Sequence, residues 1–125
     1  MRTFLAMLGI AVLTGTSALA HHSYGDFLRD ETVSLQGTIE HVLFANPHVT
    51  LNVRTQEGAA YTVEWASVTQ LVRQGVRSDM LKVGDRIVVS GSPHRDPAHR
   101  KVTLLTEVRG PSGGWRWAKG TGVAP

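Results

Sequence analysis

The apolar alternation of the first strand-like segment changes parity partway along, and this slip constrains the fold more than any other feature. Val33, Leu35, Gly37 and Ile39 alternate with polar residues, as in a strand with one buried face. After the adjacent polar pair Glu40 and His41, Val42 and Phe44 resume on the opposite parity. A bulge within Gly37 to His41 accounts for the slip. A long first strand bent in this way can serve two sheets of a small barrel.

The rest of the chain supplies the strands that such a barrel needs. Ala45-Asn46-Pro47-His48 reads as a turn, because Pro lacks an N–H donor and disfavours helix in the residue before it. Val49, Leu51 and Val53 mark a second strand, Gln56-Glu57-Gly58-Ala59 a hairpin, and Tyr61, Val63 and Trp65 a third strand. Ser67 can cap a short helix over Val68 to Gln74 that Gly75 stops. Arg86 to Ser90 predicts strand four, apolar on both faces at Ile87, Val88 and Val89, and Val102 to Val108 predicts strand five. Between them lies the polar loop Gly91 to Lys101.

Three strands, a helix and two strands form the element order of an OB-like five-stranded barrel. A split β-sandwich and an open meander with a helix are the alternatives. The predicted core is Val33, Leu35, Ile39, Phe44, Leu51, Val53, Val63, Trp65, Leu71, Ile87, Val89 and Leu104. The domain reading is a leader over 1–20, an arm over 21–31, the barrel over 32–109 and a flexible Gly/Trp tail over 110–125. Trp115 and Trp117 flank Arg116 in that tail.

The leader follows from its own pattern. Met1-Arg2-Thr3 is a short positive start, Phe4 to Leu13 is apolar apart from Gly9, and Ala18-Leu19-Ala20 suits signal peptidase. About 20 apolar residues are needed to span a bilayer as a helix, so the run reads as a secretory signal and not an anchor. The mature chain is then periplasmic, starts at His21 and has no transmembrane helix. The absence of cysteine excludes disulfides, thiolate metal sites and a lipoprotein anchor after the cleavage site.

The order His21-His22-Ser23, Asn46-Pro47-His48, Val63-Glu64-Trp65, Leu71-Val72-Arg73-Gln74-Gly75 and Val83-Gly84-Asp85 resembles a family of small exported bacterial proteins of unknown function. Members begin HHS after the signal peptide and share an NPH turn. That family is in turn loosely similar to periplasmic OB-fold proteins. The resemblance implies export and a barrel fold.

Charge and motifs narrow the chemistry. The mature chain carries 12 Lys and Arg against 10 Asp and Glu, too even for a nucleic-acid binder. Residues 21–85 hold 5 basic and 8 acidic side chains, whereas 86–125 hold 7 basic and 2 acidic, so an anion, glycan or acidic protein partner suits the C-terminal third. The chain contains no phosphate-binding glycine loop, H-E-x-x-H or G-x-S-x-G motif. The residues therefore favour a binding module over an enzyme.

Two sets of site residues stand out. In the first, cleavage places His21 and His22 at a free α-amine, where amine and imidazoles offer lone pairs near neutral pH. His21 could chelate through both groups, with His48 as a third ligand, and nitrogen-only ligation favours Cu(II). His22 offers a competing mode through amine, amide and imidazole, and the remaining reading is a polar arm with no metal. In the second, the two loops expected to frame the ligand face carry Asn46, His48, His94, Arg95, His99, Arg100 and Lys101, which suits an anionic small molecule, a glycan or a protein. His41 reads as surface. Acid–base chemistry would need a convergent pair such as Glu64 with His48. Intact-mass measurement of protein from the periplasm should give a chain beginning at His21; retention of Met1 would remove the free amine on which the copper reading depends.

Overall fold

The structure, a computed structural model, describes residues 24–124. Its strands are β1 (Val33–Leu43), β2 (Thr50–Thr55), β3 (Ala60–Glu64), β4 (Arg86–Pro93), β5 (Lys101–Arg109), β6 (Arg116–Ala118) and β7 (Gly122–Ala124), with helix α1 (Val68–Arg73) between β3 and β4. The sheet order is β3-β2-β1-β4-β5-β6-β7, and β3 also pairs with β5. That last pairing, parallel at Thr62 with Lys101 and Val63 with Val102, closes a five-stranded barrel. The predicted element order and helix position hold.

The bend in β1 lies where its parity slips. The register to β2 shifts between Ile39 and His41, so Glu40 is the extra residue, and its exposed carboxylate pairs with the Arg54 guanidinium. His41 is exposed, as expected of a surface residue. Gly37 faces both neighbours, Thr55 on β2 and Ile87 on β4. A Cβ there would lie 2.7 Å from Val53 Cγ1 and closer still to the Arg54 carbonyl, so a side chain would push β2 away from β1.

β4 runs three residues further than its apolar pattern indicates, because Gly91 lets β5 approach closely. A Cβ on Gly91 would come 2.6 Å from the Thr103 carbonyl. The pairs Ser90 with Glu107 and Ser92 with Thr103 show that β5 takes four steps where β4 takes two. This bulge corrects one core assignment: Leu104 has φ 49° and is half-buried, while Leu105 turns inward. Val33 is likewise exposed at the start of β1, and Phe44, just past its end, packs against the core only in part. The other nine predicted core residues are buried.

The C-terminal segment corrects the expectation of a flexible tail. β6 pairs with β5 and β7 with β6, and Trp117 is only 4% exposed. Its ring meets Trp65 edge to face, with centroids 5.0 Å apart, and its Nε1 donates to Gln74 Oε1 at 2.8 Å. The Val123 amide donates to the Gln74 carbonyl, tying β7 to the end of α1. Glu107 on β5 holds the start of β6 by accepting from Arg116 Nε at 2.6 Å and from Arg109 Nε at 2.5 Å.

Two measurements check this account of the C-terminal segment. Trp117→Ala should cost roughly 3–5 kcal/mol in denaturant melts, as for other buried tryptophans; a loss near zero would return the segment to a loose tail. The Glu107 carboxyl is held below the usual carboxylate range by the hydrogen bond from Arg116 and then that from Arg109. Between the lowered and ordinary values the unfolded chain binds the extra proton, so this stabilisation is present above the ordinary range and is lost as pH falls through the lowered one. The melting temperature of Glu107→Gln should therefore lie below that of the parent at neutral pH and converge with it in strong acid.

Candidate functional site

His48 occupies a place that the backbone defines tightly. The turn carries a cis peptide between Asn46 and Pro47. Beyond it, Val49 extends the β2–β3 ladder, donating to the Ala66 carbonyl at 2.9 Å and accepting from the Trp65 amide at 2.8 Å. Asn46 Oδ1 accepts from the Val68 amide at 2.9 Å, which fastens the turn to the first residue of α1. Ser67 and Gln70 complete that helix start as a reciprocal capping box.

This frame decides which nitrogen of His48 can act. Nδ1 lies 3.1 Å from the Trp65 carbonyl, which can only accept, so Nδ1 carries the proton and the neutral ring has its lone pair on Nε2. Nε2 lies 3.6 Å from Glu64 Oε1. The pair singled out for acid–base work is thus brought together, on side chains 21% and 40% exposed. A fixed imidazole beside a carboxylate can coordinate a cation or hold a proton between the two groups.

The pair lines a cavity of about 260 Å³. Trp65 and Trp117 form its apolar wall, Lys119 and Gln74 contribute polar groups, and Tyr24 of the N-terminal arm lines the same space. Trp65 Nε1 is buried without a hydrogen-bond partner among the described residues. Tyr24, Trp117 and Lys119 have no local signal in the sequence, since their arrival depends on long-range packing of the segment from Tyr24 to Leu28 and of β6.

The arm reaches this cavity along the β4–β5 loop. After a 3-10 turn over Tyr24–Asp26, Phe27 bridges to His94, and their rings meet edge to face at 5.2 Å. Leu28 N donates to the Pro93 carbonyl at 2.9 Å, and Arg95 N to the Asp26 carbonyl at 2.6 Å. The loop residues do not share the His48 cavity. His94, Arg100 and Lys101 line a second one, Arg95 lies against the arm with its guanidinium 3.5 Å from the Gly25 carbonyl, and His99 pairs with Asp96 at 3.5 Å. The single face expected from the two loops is divided into separate cavities.

His21 and His22 lie outside the described residues. Among the described residues no three His, Asp or Glu side chains gather as a metal site. No helix among the described residues is long and apolar enough to cross a membrane.

The fold and cavities define a small closed β-barrel module of OB-like topology in which Tyr24, Trp117 and Lys119 line a cavity with His48 of the β1–β2 turn. The chain belongs to DUF6152, a family of unknown function, which matches residues 10–103. The match ends within β5, so β6 and β7 lie beyond it. No curated protein matches the chain in sequence.

Proposed function

We propose that the protein is a periplasmic metal-binding module, processed after Ala20, that holds one Cu(II) between its new N-terminus and His48. The observation that carries this reading is that Tyr24 lines the same cavity as His48 and Glu64. From Tyr24 back to His21 is three residue steps, a reach of at most about 10–11 Å. The arm that carries Tyr24 is held by the β4–β5 loop, which lowers the ordering cost of bringing an N-terminal ligand to the cavity.

The ligand set is the α-amine and imidazole of His21, with Nε2 of His48 completing three nitrogens. The His48 nitrogen suits the role because the Trp65 carbonyl holds the proton on the other one. Nitrogen ligation of this kind favours Cu(II) over the other common divalent ions. Glu64 offers a carboxylate oxygen beside it.

A Cu(II) titration of processed protein, against the free peptide His-His-Ser-Tyr, tests the reading. The protein should bind one equivalent more tightly than the peptide, and His48→Ala should weaken binding about tenfold or more, ~1.4 kcal/mol. One residue added before His21 should weaken it strongly by moving the amine. Affinity should fall as pH is lowered, because amine and imidazole protonation competes with the metal. Equal binding by peptide and protein, with no effect of His48→Ala, would mean chelation by the terminal residues alone and would end the proposal.

A further inference from the structure

The second cavity has a chemistry unlike that beside His48. It measures about 250 Å³ and opens where β1 begins and β4 hands over to β5. Its floor is apolar: Val33 is exposed in it, Leu35 lies largely buried beneath, and the half-buried Tyr61 packs against the core. Arg100 and Lys101 line it as well.

Two cations line the cavity against one carboxylate, that of Asp96. That carboxylate is held toward the loop: Oδ1 accepts from the Ala98 amide at 3.0 Å, and Oδ2 lies 3.5 Å from His99 Nε2. Among the described residues neither Arg100 nor Lys101 forms an ion pair, although both belong to the basic C-terminal third. His94 and Tyr61 are the other titratable groups there. The Nδ1 of His94 is tied to the Asp96 backbone, 3.0 Å from the amide and 3.1 Å from the carbonyl.

The cations also stand on fixed backbone. Arg100 adopts left-handed φ 45°, ψ 54°, uncommon for a residue with a side chain, and its carbonyl accepts from the Thr62 amide at 3.0 Å. Lys101 begins β5 and pairs with Thr62. Positive charge beside an apolar floor selects an amphipathic anion, and a cavity below the roughly 300–1,000 Å³ of drug-sized sites restricts it to a small one. The half-buried ring of Tyr61 favours an aromatic body.

We propose that this cavity binds a small aromatic carboxylate, with its ring against Tyr61, Val33 and Leu35 and its carboxylate at Arg100 and Lys101. This site is independent of copper. The test is an NMR titration of ¹⁵N-labelled, copper-free protein with benzoate, with benzyl alcohol as the probe lacking charge and acetate as the probe lacking a ring. Benzoate should shift the amides of Tyr61, Val102 and the β4–β5 loop saturably, about tenfold more tightly than either control, and should weaken as salt rises. The double variant Arg100→Gln, Lys101→Gln should lose about tenfold in benzoate affinity and leave benzyl alcohol unchanged. Benzyl alcohol matching benzoate, shifts centred on Trp65 and Trp117, or a folded double variant binding like the parent would each overturn the proposal. The three-probe comparison on the unaltered protein decides the matter even if the variant fails to fold.

Discussion

The barrel depends on one close approach, that of β2 to β1 at Gly37. This residue pairs with Thr55 on one side and Ile87 on the other, so it marks the point where β1 passes from β4 to β2. A strand can change partners only if it coils sharply, and coiling brings the neighbouring backbone inside the distance at which a Cβ could stand. The bulge at Glu40 then restores inward-facing residues on the new parity. With β1 shared, β3 and β5 meet in parallel, and the barrel closes without leaving an edge between them.

What was legible in the sequence follows from how each segment is buried. β1, β2 and β3 have one face in the core, and period-two alternation reports that directly, including the slip at Glu40. Leu104 and Leu105 were not separable, because the bulge that turns Leu105 inward is produced by contact with Gly91 on another strand. The C-terminal segment was harder still. β6 and β7 have three residues each, too few for a period to register, and their stability rests on Trp117 meeting Trp65 and Gln74, more than forty positions away.

The candidate site was legible residue by residue but not in its grouping. Asn-Pro-His announces a turn, yet only the register of β2 with β3 shows that His48 will lie beside the Trp65 carbonyl and Glu64. The loop histidines and cations of β4–β5 suggested one face with His48, because OB-like barrels often use those two loops together. Here the arm occupies part of that loop: Phe27 lies against His94, and the Asp26 carbonyl takes the Arg95 amide. The remaining cations, Arg100 and Lys101, line their own cavity.

Trp65 links the core to the chemistry, and this governs how variants near His48 should be read. Its ring is buried against Trp117, while its carbonyl sets the His48 tautomer and its amide continues the ladder to Val49. Truncating the ring would leave the carbonyl in place chemically but free the backbone to relax into the space, so His48 would lose its orientation along with the packing. An altered cavity in a Trp65 variant therefore cannot separate ligand contact from positioning. Substitution of His48 acts on the ring nitrogens and leaves the Trp65–Trp117 contact in place. The two residues adjoin, but only His48 can be changed to report on ligation without first changing the core.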